Sequence, residues 1–411
     1  MSRKKIAITG IGVVSPLGVG REYFWRNLSS GLSGFGAITL FDTKGLDVKI
    51  AGEIRDFTPK DILGAKNLMD LDRATLLLLC AAKLALGDAG LEINETNTLA
   101  SGICVGTTLG SLHSISKFDR ESLTEGPRYV NPSIFPSTVG NSAASRLAIR
   151  FGIKGFNATI STGMCAGLDA IDYGRDAIEL GRAETVLAGS VEDLSLQIFL
   201  GFYKLKYLSG STGGCSAPLC CPFDARRNGA ILSEGATTLV LQESKAATGK
   251  VLSHILGIGS CFDPAKFYRY NPKAEGMISA MKLALDDANL SPKDIDCVFA
   301  NANSTKDADY IETKAIKEVF GSHADKVPIT AVKSVLGESY SVSGGFATVA
   351  AIEAMQNGFI PATINYTHKD PHCDLDYVPN IGRKADLKRV MVNAFGPNGA
   401  NTCMILGGTR P

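Results

Sequence analysis

The side chains best placed to do chemistry lie in residues 158–192, ATISTGMCAGLDAIDYGRDAIELGRAETVLAGSVE. A β-branched run (Thr159, Ile160, Thr162) leads into a turn at Gly163. An amphipathic segment follows, with Leu168, Ile171, Ile178 and Leu180 set among Asp169, Asp172, Arg175 and Glu179. Gly181 is placed to end it, and a second strand is expected over 185–188. A strand, tight turn, helix and strand set a side chain at a helix N-terminus, where unpaired N–H groups and the macrodipole favour a thiolate. Two sulfur side chains stand at this turn. Met164 is a thioether, has no dissociable proton and forms no thioester; it is a polarizable gap-filler. Cys165 has a thiol, yet one residue at a helix start turns a side chain by about 100°. Cys165 is therefore no simple substitute for a nucleophile at 164, and is expected to be a buried small residue.

The other candidates for chemistry are weaker. The ten cysteines include no CxxC pair. Cys220 and Cys221 are adjacent and Cys215 is near, but no His or second pair completes a zinc set, so free thiols and no metal are expected. Gly10-Ile11-Gly12 follows a strand at 5–8, but no third glycine completes GxGxxG and Pro16 interrupts. No cofactor is expected.

The chain that must hold these groups has 411 residues, 45% hydrophobic and 20% charged, enough for a large core. Lys+Arg number 42 against 41 Asp+Glu, which gives no electrostatic reason to expect nucleic acid or an anionic membrane as partner. The apolar run after the basic start is only a strand long, so neither a signal peptide nor a membrane span is expected, and a cytoplasmic location is expected with them. Helices are expected over 24–32, 68–89, 141–150, 277–288 and 310–320, and strands over 103–106, 237–242, 297–300 and 327–329. The 9–18 stretch reads as a Gly-rich connection, 107–138 is poorly periodic, and 199–235 reads as a long connection. From about residue 251 the order restarts, and 332–365 repeats the turn, small-residue helix and glycine stop (Gly358) of the central stretch. Two halves of like order indicate an internal duplication, 1–250 and 251–411, within one compact unit.

Several motifs resemble the β-ketoacyl synthases, over essentially residues 3–408. They are TGIGVVSPLG at 9–18, Cys221-Pro222-Phe223-Asp224 with GAILSEG at 229–235, and the central stretch itself. The resemblance implies an α/β, thiolase-like fold: duplicated mixed five-stranded sheets with helices in layers (αβαβα). It also implies a cysteine nucleophile, two histidines that hold the thioester carbonyl and the oxyanion, and a supporting lysine. By resemblance the nucleophile's place is Met164. The Asn-Ala-His-Gly-Thr signature reads Asn301-Ala302-Asn303-Ser304-Thr305, with Asn303 for the histidine. The Lys-Ser-x-x-Gly-His signature keeps Lys333 and Gly337 but has Glu338 for the histidine. The five histidines (His113, His254, His323, His368 and His372) fall in neither. Lys333 is then expected to be a buried donor or the partner of Glu338. Asn393-Ala394-Phe395-Gly396 resembles the gate loop, with Phe395 as its phenylalanine and Pro397 stiffening the loop beyond it.

A fold kept while its catalytic groups are replaced points to a partner subunit. Within the family this matches the chain-length factor, the β subunit of type II polyketide ketosynthases, as does DPHCDLDYVP at 370–379. That resemblance implies a heterodimer with a catalytic ketosynthase, an acyl carrier protein as further partner, and little activity for the chain alone. It places Leu112, Ile115, Asp119 and Phe135 along the tunnel that limits product length. Two alternatives stay open: a standalone acyltransferase or condensing enzyme using Cys165, and a scaffolding homodimer.

Overall fold

A computed structural model describes residues 4–211, 218–247, 249–264 and 268–409. Its first strand, β1 (Ile6–Ser15), runs through most of the stretch expected to be a connection. The reason is steric. Gly10 and Gly12 face helix α1 (Arg73–Asp88), where an added Cβ would lie 2.3 Å from the Ala85 carbonyl oxygen and 1.8 Å from that of Ala81. These glycines let strand and helix touch; they do not turn the chain.

The first half continues with β2 (Ser101–Gly106), α2 (Leu112–Glu125), α3 (Ser142–Phe151), β3 (Asn157–Ile160), α4 (Ala166–Glu179), β4 (Thr185–Glu192), α5 (Leu196–Lys204) and β5 (Gly235–Glu243). The second half holds β6 (Ser253–Phe262), α6 (Glu275–Ala288), β7 (Cys297–Phe299), α7 (Lys306–Phe320), β8 (Ile329–Thr330), α8 (Lys333–Leu336), α9 (Ser343–Asn357), β9 (Arg389–Phe395) and β10 (Ala400–Gly407). The strand order is β8-β7-β9-β10-β6-β1-β5-β4-β2-β3. In the first half β1–β5 and β5–β4 are antiparallel, and β4–β2 and β2–β3 parallel. The second half repeats this with β6–β10, β10–β9, β9–β7 and β7–β8. The halves meet through a short antiparallel seam in which Ile6, Ala7 and Ile8 face Ile255, His254 and Ser253. The duplicated mixed five-stranded sheets are therefore joined edge to edge at their centre.

Helices α4 and α9 fill the layer between the halves, while α1 and α6 cover the outer faces. Every residue of α9 from Ser343 to Met355 is buried, as a helix with no solvent face requires. Gly181 (φ +71°) and Gly358 (φ +62°) end α4 and α9 in the left-handed conformation.

Two helices appear where sequence periodicity showed none. Within 107–138, α2 buries only Ser114 and leaves Ile115 and Leu123 exposed, so its apolar residues do not mark a core-facing stripe. Within 199–235, α5 occupies the start and buries Ile198, Phe199 and Phe202, a run too short to display a period. Among the described residues, no helix is long and apolar enough to cross a membrane.

Candidate functional site

The turn before α4 spans Gly163–Cys165. Gly163 has φ +70°, and an added Cβ would meet Asn398 Nδ2 at 2.9 Å. Its N–H donates to Thr108 Oγ1 (3.2 Å) and its carbonyl accepts from the Ser341 hydroxyl (3.2 Å). This anchoring decides where the two sulfur side chains go. Met164 and Cys165 are both fully buried, but in different clusters. Met164 packs with Leu194, Ile198, Phe199, Phe202 and Tyr340. Cys165 sits with Leu168, Val342 and Ala394 in the layer between the halves. Its thiol donates to the Ala394 carbonyl (3.0 Å). Burial, and then the charge of Asp169, push that thiol well above its ordinary range. Desolvation outweighs the helix N-terminus, so Cys165 is held as a thiol.

The second group of positions is polar and buried. Lys333 opens α8, and Glu338 follows the Gly337 cap, whose φ is +82°. Lys333 Nζ donates to Glu338 Oε2 (2.8 Å) and to Asn301 Oδ1 (2.9 Å). Asn303 Nδ2 donates to the same Glu338 oxygen (2.8 Å) and to the Tyr207 hydroxyl (2.6 Å). The other Glu338 oxygen accepts from the Tyr340 N–H (2.9 Å) and the Ser343 hydroxyl (2.7 Å). Lys333 and Glu338 are 4% and 1% exposed, so this is a buried ion pair with its remaining hydrogen-bond sites largely filled. The Asn301 amide donates to the Phe395 carbonyl (3.0 Å), and its N–H to Glu312 Oε1 (2.9 Å). Burial holds Glu312 up at about 7.

Beside this network lies a cleft of about 490 Å³. Phe202, Tyr207, Tyr270 and Pro397 are among its lining, with Lys206, Arg269 and Lys306 as its cations. Phe395, expected at the gate loop, is not among the cleft lining. Phe395 is fully buried at the end of β9, packed in the second half's core, because strand alternation turns it inward. Pro397, two residues on, lines the cleft. Of the residues expected to line a tunnel, Leu112 packs against the Met164 cluster. Ile115, Asp119 and Phe135 are exposed on the isolated chain, with the Phe135 ring 5.9 Å from that of Phe118. Cys220 is buried with its thiol 3.1 Å from the Lys333 carbonyl, and Cys221 is beside Ser304; Cys215 lies outside the described residues.

The sequence reading missed Tyr207, Tyr270 and Tyr340. All three sit outside the helices and strands that periodicity detects, and their roles come from contacts far along the chain. The only local signal was Tyr340, two residues after Glu338.

The chemistry left to this arrangement is limited. Met164 has no proton to lose, Asn303 donates hydrogen bonds but shuttles no proton, and the Glu338 carboxylate repels a developing oxyanion. None of the five histidines joins the hydrogen-bond network around Asn303 and Glu338. Comparison with known proteins sets this site in a family. The model for the β-ketoacyl synthase N-terminal domain matches residues 3–247, and that for the C-terminal domain residues 252–367. A 3-oxoacyl-[acyl-carrier-protein] synthase 2 from Coxiella burnetii is 34% identical over 99% of both chains. Its counterpart from Synechocystis sp. is 31% identical over 98% of both. The solved structure titled the ishigamide ketosynthase/chain length factor is 31% identical, with a TM-score of 0.91 over 100% of both chains. A type II PKS acyl-carrier protein in complex with its ketosynthase is 27% identical, also at 0.91, over 99% of this chain and 100% of that one. The chain belongs to the β-ketoacyl synthase family, with the thiolase-like fold of that family.

Proposed function

We propose that this chain is the non-catalytic, chain-length-determining subunit of a type II polyketide synthase. It pairs with a catalytic ketosynthase and shapes the tunnel in which the polyketide grows, while an acyl carrier protein delivers the chain. The observation that carries this reading is the Glu338–Lys333 ion pair, closed by Asn303, together with a fully buried Met164, where the resemblance puts two histidines and a cysteine. One general acid–base group is worth about 10²–10⁴ in rate, and one oxyanion donor about 10²–10³. With the nucleophile absent too, condensation requires a partner that supplies these groups.

The exposed apolar residues of the α2 region suit such a partner. Ile115, Leu123, Tyr129 and Phe135 are 37%, 85%, 75% and 57% exposed, and share one stretch of chain. A standalone enzyme using Cys165 is disfavoured by that thiol's burial and its contact with the Ala394 carbonyl. A scaffolding homodimer would use the same apolar face, and co-purification with a ketosynthase separates the two.

The test is co-expression with a ketosynthase that has its Cys-His-His set. The complex is expected to form polyketide from malonyl carrier protein, and the isolated chain none. Condensation by the isolated chain would overturn the reading. Leu112→Ala or Ile115→Ala in the intact complex is expected to lengthen the products, read by mass spectrometry. Unchanged lengths in both variants would remove Leu112 and Ile115 from the tunnel end.

A further inference from the structure

Aromatic side chains stand between the cleft and the buried Met164 cluster. Phe202, Tyr207 and Tyr270 face the cleft. The Tyr270 hydroxyl is 3.9 Å from Met164 Sδ and 3.4 Å from the Phe395 carbonyl. The Tyr207 hydroxyl accepts from Asn303 at 2.6 Å. The Phe202 ring stands 5.4 Å from that of Tyr207 and 5.5 Å from that of Tyr340, which shares the Met164 cluster. Among the described residues, the cleft lining includes none of Met164, Asn303, Lys333 and Glu338.

We infer that Tyr207 and Tyr270 form a fixed barrier that shuts the passage from the cleft to Met164. The chain is then closed to an incoming thioester arm, independently of its lost chemistry. This rests on the reading that Met164 stands in the nucleophile's place.

The barrier is tied from behind. Tyr207 is held by Asn303, whose amide is fixed by Glu338, which Lys333 clamps in turn. Swinging Tyr207 outward removes one partner from a buried amide, and swinging Tyr270 outward leaves the Met164 thioether facing solvent. Burial keeps both phenols well above their ordinary range, so neither ionises and opens by charge repulsion. Pro397 at the rim has a locked φ, which limits how far that side can give. Outside the barrier, Lys206, Arg269 and Lys306 outnumber Asp307, so the cleft suits an anionic group on an extended stem. Such a ligand would stop at the tyrosines. Restoring a cysteine and two histidines alone would therefore not restore loading.

The test installs a thiol and asks whether an arm-sized reagent reaches it. The full-length chain carrying Met164→Cys is treated with iodoacetyl-pantetheine, and labelling at position 164 is followed by peptide mass spectrometry. The same measurement is made on Met164→Cys with Tyr207→Ala and Tyr270→Ala. Labelling that needs a rare opening is slowed by the closed fraction, so the opened variant is expected to label at least about tenfold faster. Should the triple variant fail to fold, Met164→Cys with Tyr270→Ala alone gives the same comparison. Equal rates in closed and opened backgrounds would overturn the barrier, as would no labelling in either opened variant. The readout needs no ketosynthase, carrier protein or product, so its failure is distinct from failure of the proposed partner role.

Discussion

The two halves of the chain bring the same device to the centre of the molecule and use it in opposite ways. A single 3₁₀ turn, Gly163–Cys165, opens α4; the matching turn Tyr340–Val342 opens α9. The turns touch, since the Ser341 hydroxyl reaches the Gly163 carbonyl and a Cβ on Gly167 would lie 2.6 Å from the Ser341 oxygen. Met164 and Tyr340 end in one apolar cluster. The first turn relies on a left-handed glycine and close backbone contact. The second is held by acidic side chains: Glu338 takes the Tyr340 N–H and Ser343 hydroxyl, and Glu192 takes the Ser341 hydroxyl at 2.6 Å. Tyr340 has φ +53°, which costs a side-chain-bearing residue about 1–2 kcal/mol. On the proposed reading, the two turns show two ways for a catalytic position to be replaced. Met164 becomes apolar packing, whereas Glu338, lined by polar groups, carries a charge that Lys333 pairs.

Lys333→Met is expected to have the largest effect on the second turn. Removing one partner of a buried ion pair is expected to cost about 3–5 kcal/mol in urea unfolding. Lys333→Met with Glu338→Leu is expected to recover most of that loss, because an apolar pair needs no charge compensation. A cost near zero for the single variant would mean that the ion pair does not hold the second turn.

On the apolar side, Met164→Ala is expected to cost about 2–5 kcal/mol through the cavity it leaves, while the near-isosteric Met164→Leu costs under about 1.5 kcal/mol. Equal costs for the two would give the sulfur a role beyond packing.

The smallest effect concerns pH. Burial raises Glu192 from 4.5 to about 7, against the hydrogen bonds from Ser341, Thr108 and Leu109. The folded state then holds a proton that the unfolded state has released. Its contribution is complete below the unfolded value and is lost as pH rises through the folded one. Stability is expected to fall as pH rises from 4.5 to about 7, and Glu192→Gln to remove at most about 3.5 kcal/mol of that fall. Glu312, also near 7, leaves a remaining slope of the same sign. An unchanged pH profile in Glu192→Gln would show that this carboxyl does not titrate with folding.

Much of the fold was legible because it rests on local pattern. The glycine stops at Gly181 and Gly358, the small-residue helices they end, and the repeated order of elements all appear in the linear sequence. Helix α2 was not legible, since its apolar residues face outward on the isolated chain. Gly10 and Gly12 were misread as a connection because glycine serves both turns and close strand–helix contact, and only the position of Ala81 and Ala85 separates the two. Phe395 was placed at a gate by its motif, whereas its direction depends on strand register and turns it into the core.

On the proposed reading, the loss of chemistry rests on residue type alone. A thioether has no proton to give and a primary amide shuttles none, so, with Met164, Asn303 and Glu338 in the places the resemblance assigns them, the proposal of a non-catalytic chain needs no coordinate. Where those side chains point was decided only by tertiary packing. Met164 and Cys165 are neighbours in sequence yet enter separate cores, and Tyr207 and Tyr270 come from distant loops to line one cleft. Such contacts depend on how layers stack around them, and no local period encodes that.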